Sequence, residues 1–150
     1  MLKIRTVLTG ATVAGLLTAG LALGAPAAEA SGPGNCVSGD GATGTGGDSC
    51  LFYHQGFVGG YFGSPYSINY QGNSFGGCNN NSCDGDGDAV RNDAASVANF
   101  DTACTVTVWV YPLGTGGNIG QSFGPWGSGN LNTSLRNNDA SQTWSGPSGC

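Results

Sequence analysis

Two short segments contain most of the oxygen atoms that could bind a metal ion. They span residues 90–96 and 135–141, and we call them the first and second arc. Aligned without a gap, both read apolar, Arg, Asn, Asn or Asp, any residue, Ala, Ser. A match this dense at one offset indicates an internal duplication.

Each arc places amide, carboxylate, carbonyl and hydroxyl oxygens on a short stretch of chain, and such oxygens suit a hard cation like calcium. The same residue types also make turns by hydrogen bonding to their own backbone. A single arc would favour the turn, whereas two arcs favour a shared binding design. Both interpretations stay open from these residues alone.

A third group of oxygens belongs to Asp84, Asp86 and Asp88, which alternate with glycines. The pattern is similar to the start of an EF-hand loop, but Ala89 stands where that loop needs Gly and Ala95 where it needs Glu. The sequence therefore excludes an EF-hand. Because close carboxylates repel one another, we expect a solvated acidic loop or a weak accessory metal site.

His54 is the only histidine, so general acid–base chemistry has few candidate residues. It lies in an aromatic segment, where a histidine is more often packed than catalytic. Ser and Asp are plentiful, which leaves a Ser-His-Asp triad as an alternative, but no nucleophile-elbow motif accompanies them. We expect no enzymatic activity.

Residues 1–30 are predicted to be a secretory signal peptide. Lys3 and Arg5 precede an apolar run, and Ala28-Glu29-Ala30 fits the small-x-small cleavage pattern. Glycines interrupt the run and no stop-transfer pattern follows, so a permanent membrane anchor is the weaker interpretation. Cleavage after Ala30 would release an extracellular chain of about one small domain.

The predicted mature chain is acidic. It contains eight Asp and two Arg but neither Lys nor Glu, which gives a net charge of about −6. Nucleic acids and acidic membranes are bound through basic patches, so neither is an expected partner. Cations and basic partners remain compatible, and we expect a monomer.

The cysteines predict a disulfide framework, because an even number occurs in a chain that is predicted to be exported. Neighbouring cysteines close loops most easily. The favoured pairs are therefore Cys36 with Cys50, Cys78 with Cys83, and Cys104 with Cys150. Zinc is disfavoured, since paired C-x-x-C units are missing and there is one His.

Short segments with strand preference alternate with Gly-rich turns over the rest of the chain, and no window has helical periodicity over a helix's usual length. Residues 31–48 are nearly free of apolar side chains and are predicted to be a flexible N-terminal segment. The predicted strands are 50–54, 61–62, 67–70, 96–100, 104–111, 118–123 and 141–144.

The duplication extends beyond the arcs. Placing Gly59-Gly60 on Gly116-Gly117 aligns Phe52 with Trp109. The spacing from this point to the arc is shorter in the second copy, which indicates an insertion around residues 78–88 of the first. The sequence predicts one all-β domain, an antiparallel sandwich of two Greek-key units sharing a core. The domain spans residues 49–150, and its units span about 49–103 and 104–150.

These features resemble the βγ-crystallin double Greek key. The resemblance rests on an aromatic strand, an aromatic-x-Gly turn at Phe57-Val58-Gly59, and the duplicated arc, although Gly114 stands where the first copy has Phe57. The cysteine pair before the first strand is similar to the secreted actinobacterial metalloproteinase-inhibitor family. The resemblance covers about residues 36–144 and implies a βγ-crystallin-like fold and an extracellular protease as partner.

The resemblance also implies weak calcium binding by the arcs. Val97 and Gln142 depart from the family pattern, which has Ser there, and the second arc offers amides at its first two positions. Fewer charges weaken binding, so we expect a dissociation constant of roughly 0.1 to 1 mM. The implied ligands are Asn92, Asp93, the Ala94 carbonyl and Ser96 in the first arc, and Asn137, Asn138, the Asp139 carbonyl and Ser141 in the second.

An inhibitor needs a rigid exposed loop with a side chain that fills the protease's pocket. The loop from Cys78 to Cys83 has a closed form but holds only Asn and Ser. Leu113 or Trp126 would supply an apolar anchor, unless they are packed inside. The alternative functions are a calcium-binding structural or stress module and a secreted toxin-like crystallin.

Overall fold

The computed structural model describes residues 36–38 and 47–150. The predicted signal peptide and most of the predicted flexible segment lie outside these residues. Within the described part of that segment, Cys36 and Asp48 are buried, and the Asp48 amide donates to the Val37 carbonyl at 2.7 Å. Residues 36–38 and 47–150 contain no helix with the length and apolarity that a membrane span requires.

The described residues form β-strands and turns, which confirms the all-β prediction. The strands are β1 (Ser49–His54), β2 (Val58–Ser64), β3 (Ile68–Asn69), β4 (Gly76–Asn79), β5 (Ser96–Asn99), β6 (Thr105–Trp109), β7 (Gly120–Phe123), β8 (Ser128–Asn130) and β9 (Ser141–Ser145).

These strands make two antiparallel sheets, consistent with a sandwich. The five-stranded sheet has the order β4-β2-β1-β5-β8, and the four-stranded sheet has the order β3-β9-β6-β7. The series β2-β1-β5-β8 in one sheet corresponds to β7-β6-β9-β3 in the other. Each half of the chain therefore gives its third strand to the sheet of the other half, and β4 is an addition to the first half.

The main core contains inward-facing residues of both sheets together with apolar residues of the arcs. Leu51 and Val97 are paired across β1 and β5, while Val106 and Val108 come from β6, and all four are 0 % exposed. Alternation along β6 buries these valines, as the period-two pattern predicts. Leu135, from the second arc, joins this core, so burial of apolar residues holds the arcs beside the strands.

Two strands were not predicted. β4 and β8 lie in segments rich in Gly and Asn that were expected to be connections, and that expectation was wrong. Both are edge strands, paired with β2 and β5 respectively. Their side chains have weak strand preference, so the pairing is determined by backbone hydrogen bonds to a neighbouring strand rather than by local sequence.

The three predicted disulfides are confirmed. They join Cys36 with Cys50, Cys78 with Cys83, and Cys104 with Cys150, and no described cysteine is free. The first ties the N-terminal segment to β1, the second closes the turn after β4, and the third ties the C-terminus to the start of β6. Three disulfides in a small domain are compatible with an extracellular, oxidising environment.

The second disulfide spans a sequence separation of 5 residues, so its contribution should be modest. Replacing Cys78 and Cys83 together with Ser is expected to lower the free energy of unfolding by about 2 kcal/mol, because the unfolded chain gains conformational freedom. Guanidinium unfolding of the oxidised proteins measures this change. A difference of less than about 0.5 kcal/mol would mean that the backbone bonds between Asn79 and Ser82 already fix the turn.

Candidate functional site

Strand register places the two arcs at equivalent positions. Phe52 pairs with Ser96 across β1 and β5, and Trp109 pairs with Ser141 across β6 and β9. The Ser96 hydroxyl donates to the His54 carbonyl at 2.7 Å, two residues beyond Phe52. The Ser141 hydroxyl makes the corresponding bond, at 2.6 Å, two residues beyond Trp109. The alignment made from the sequence is thus reproduced in space.

The arcs are joined by a reciprocal pair of hydrogen bonds. The Asn92 amide donates to the Asp139 carbonyl at 2.8 Å, and the Asn137 amide donates to the Ala94 carbonyl at 3.0 Å. Both asparagines have positive φ, 70° and 56°, a conformation that Asn tolerates better than most residues. The arcs are therefore turns that lie side by side across an approximate internal twofold axis. The two carbonyls proposed as calcium ligands already accept these bonds.

Asp139 contributes a buried carboxyl group beside this axis. It is 0 % exposed, and its Oδ1 accepts the Ala94 amide at 3.0 Å. Its Oδ2 has no hydrogen-bond partner among the described residues. Burial raises the pKa of Asp139 to about 7, and the negative charge of Asp93 adds to the rise, although backbone hydrogen bonds oppose it. Sequence analysis assigned a role only to the Asp139 carbonyl, because the neighbouring residues gave no indication that the Asp139 side chain would be buried.

A cleft of about 460 Å³ lies where the end of β1 meets both arcs. Its lining includes Tyr53, His54, Gln55, Asp93, Arg136 and Asn137. Of the predicted metal ligands, Asp93 and Asn137 therefore share one cleft although they belong to different arcs. The Ser96 hydroxyl also accepts the Phe57 amide at 3.1 Å, in addition to its bond to the His54 carbonyl.

The remaining predicted ligands are less favourably placed for one shared site. Asn138 is exposed, and its Nδ2 donates to the Ser134 carbonyl at 3.0 Å. Ser141 lies beside a smaller cleft of about 170 Å³, lined largely by Trp109, Tyr111 and glycines. No cluster of three or more His, Cys, Asp or Glu side chains suited to a metal occurs among residues 36–38 and 47–150. A cation in the arcs would thus need amide, hydroxyl and carbonyl oxygens in addition to the Asp93 carboxylate.

The two arginines of the arcs differ in their contacts. Arg91 donates through Nη1 to Gln71 Oε1, and its Nε is buried without a partner in the described part of the chain. Arg136 faces the larger cleft. The two halves thus share a backbone plan while presenting different surfaces.

The acidic segment of residues 84–88 folds against β1 and β4. Asp84 Oδ2 lies 3.3 Å from His54 Nε2, within hydrogen-bonding distance. Asp86 Oδ1 accepts the Gly77 amide at 3.1 Å. His54 lies at the end of β1 with its side chain 46 % exposed, so it is an edge residue.

The disulfide-closed turn after β4 is rigid and polar. Asn80 and Asn81 have φ values of 50° and 61°, which makes a tight two-residue turn. The side-chain amides of Asn79 and Asn80 both donate to the Phe57 carbonyl, at 2.5 and 2.9 Å. This turn therefore presents amides at the surface and no apolar side chain. Of the two suggested apolar anchors, Trp126 is the exposed one.

Gln142 is an important buried residue whose structural role the sequence did not reveal. It was noted as a departure from the family pattern, and Val97, the other departure, lies in the main core. Gln142 is 0 % exposed and bonds to residues of the opposite sheet, including Ser49. The departure of Gln142 from the family pattern is the sequence feature that could have indicated a structural role at this position.

The site has to be interpreted from its own chemistry, because comparisons with known proteins give no relative. No protein-family model, no curated protein and no solved structure matches the chain.

Proposed function

We propose that the chain is a secreted, βγ-crystallin-like domain made of two Greek-key units. The proposal is supported by the corresponding strand orders of the two sheets and by the exchange of β3 and β8 between them. The reciprocal bonds between the arcs add independent support, since each half makes the same contact with the other. The sequence resemblance covers the same elements.

We further propose that this domain inhibits an extracellular protease, of the metalloprotease class that the resemblance implies. The observation that carries this proposal is that disulfide bonds hold segments outside the strands in fixed positions. Disulfides fix Cys36 to β1, close the turn after β4 and fix Cys150 to the start of β6. An inhibitor must occupy a protease without being cleaved, and a preordered loop loses little entropy when it binds.

Titration of the oxidised mature protein against a thermolysin-like metalloprotease tests this function. Stoichiometric loss of peptidase activity is expected, and a serine protease assayed in parallel measures selectivity. If the protein inhibited only by removing the protease's zinc ion, added zinc would restore activity. Inhibition that persists in added zinc is therefore due to binding of the protease. Reduced and alkylated protein is the matched control and should lose the effect. Full activity at a severalfold excess of the oxidised protein would reject the proposal.

Weak calcium binding by the arcs is a second candidate property. It is favoured by the presence of Asp93 and Asn137, one from each arc, in one cleft. A donor set made only of oxygens fits calcium better than a transition metal. The Ser96 hydroxyl donates its hydrogen to the His54 carbonyl and accepts the Phe57 amide, which leaves one oxygen lone pair for the ion. Such binding would stabilise the fold and is compatible with inhibition.

With a dissociation constant of roughly 0.1–1 mM, calcium at about 10 mM is expected to stabilise the protein by about 1.4–2.7 kcal/mol, which raises the melting temperature by several degrees or more. Differential scanning calorimetry in calcium, with magnesium as the control ion, measures the shift. Ser96→Ala should reduce the shift because it removes one ligand. An equal shift in magnesium would contradict a site selective for calcium, and an unchanged shift in Ser96→Ala would place the bound ion elsewhere.

A further inference from the structure

Trp126 has a backbone conformation that its residue type disfavours. It occupies the third position of a turn, residues 124–127, in which the Gly127 amide donates to the Gly124 carbonyl at 2.8 Å. Its φ is 57°, and Pro125 precedes it, which is the arrangement of a type II turn. That position normally holds Gly or Asn, and a bulky side chain there is strained.

Hydrogen bonds from neighbouring residues fix the position of this turn. The buried Asn99 donates through Nδ2 to the carbonyls of Cys104, Phe123 and Gly124, at 2.8, 2.9 and 2.9 Å. The Trp126 amide donates to the Asp101 carbonyl at 3.1 Å. A strained conformation persists only where its surroundings over-determine it, and these bonds meet that condition.

The result is an exposed aromatic ring on a fixed support. Trp126 is 55 % exposed, and Phe100 contacts it edge to face, with ring centroids 6.4 Å apart. Core packing does not account for an indole at this position, since more than half of the side chain faces solvent. A rigidly presented Trp is, however, the most effective kind of anchor at protein interfaces, because little entropy is lost on binding.

We propose that Trp126 is the anchor of the inhibitory interface and fills an apolar, ring-sized pocket of the target protease. This inference rests on the proposed inhibitory function and assigns its contact residue. The disulfide-closed turn at Asn80 and Asn81 is unsuited to the role because it presents only amides. The positive φ keeps the Trp126 turn out of the extended conformation of a bound substrate, so the ring acts as a wedge and its own peptide bonds are not cleaved.

The test compares the inhibition constants of the oxidised wild-type protein and three variants against the same thermolysin-like protease. Trp126→Ala should weaken inhibition by about 100-fold. Tyr66→Ala is the matched control, because Tyr66 is another exposed aromatic side chain, 52 % exposed, and its truncation should change inhibition by less than about threefold.

The third variant separates the interface from the fold. Trp126→Gly should inhibit as weakly as Trp126→Ala yet melt at a higher temperature than Trp126→Ala, because Gly accepts positive φ without strain. A protein that keeps full inhibition without the indole would overturn the anchor while leaving the inhibitory function intact. A wild-type protein that neither binds nor inhibits the protease would overturn both. Cleavage on either side of Trp126 during the assay would contradict the wedge.

Discussion

Replacement of Gln142 by Leu is expected to lower the free energy of unfolding by about 3–5 kcal/mol, since its buried partners would be left without hydrogen bonds. Gln142 lies on β9 and is 0 % exposed. Its Nε2 donates to the carbonyls of Ser64 and Tyr66, at 3.2 and 2.8 Å. Its Oε1 accepts the hydroxyls of Ser49 and Tyr70. One amide therefore connects β9 with β1, with β2 and with the segments around β3.

The size of this effect follows from desolvation. Leu fills a similar volume but satisfies neither hydroxyl nor carbonyl, and each buried polar group left alone costs about 1–3 kcal/mol. Some relief comes from the Ser49 hydroxyl, which also lies 3.3 Å from the Ser64 carbonyl. The loss should nevertheless exceed that of most surface substitutions, which change stability by about 0.5 kcal/mol or less.

Urea or guanidinium unfolding measures the loss, and Gln121→Leu provides the matched control. Gln121 also bonds through both ends of its amide, to the Asn130 carbonyl at 3.1 Å and from the Asn132 amide at 2.8 Å. Those partners are exposed, so water replaces the lost bonds and the cost should stay below about 1 kcal/mol. Equal losses in the two variants would show that burial of the Gln142 network is not what stabilises the contact between the sheets.

The second large effect is the dependence of stability on pH. Asp139→Asn is expected to stabilise the protein at pH 8 by roughly 4 kcal/mol, because the pKa of the buried carboxyl is raised to about 7. Between about pH 4 and pH 7 the folded chain keeps a proton on Asp139 that the unfolded chain has released. Stability from this group is therefore complete below pH 4 and is lost as pH rises toward 7 and above.

Unfolding free energies measured from pH 4 to pH 8 test this directly. The wild-type curve should fall with rising pH, and Asp139→Asn should flatten it, because Asn resembles the protonated carboxyl and still offers Oδ1 to the Ala94 amide. A smaller slope of the same sign should remain, since burial also raises the pKa of Asp48, to about 6. Asp88→Asn, at an exposed position, is the control. A wild-type curve that rises between pH 4 and pH 7 would contradict this account.

The predictions that succeeded from sequence are those that depend on local or periodic signals. Alternation made β6 recognisable, and loop closure between neighbouring cysteines indicated the pairing of Cys104 with Cys150. The duplicated arcs were visible because Asn and Ser recur at fixed positions. Their equivalence in space followed from the same repeat, as the matching bonds of Ser96 and Ser141 show.

The features that sequence did not reveal depend on distant parts of the chain. β8 has little strand preference of its own, and it forms because the edge of β5 is available. The Asp139 side chain is acidic and would be expected in water, yet packing of one arc on the other buries it. The four hydrogen-bond partners of Gln142 lie 72 to 93 residues away along the chain, so the local sequence gave no indication that this polar side chain would be buried.

The crossing of β3 and β8 between the sheets has a consequence for the origin of the fold. A polypeptide with only one unit would leave a sheet edge open and carry a third strand with nothing to pair with. It would complete itself by domain swapping with a second copy, as a symmetric homodimer. Gene fusion of such a dimer would produce the present connectivity, and it would free each half to diverge in the surface that it presents.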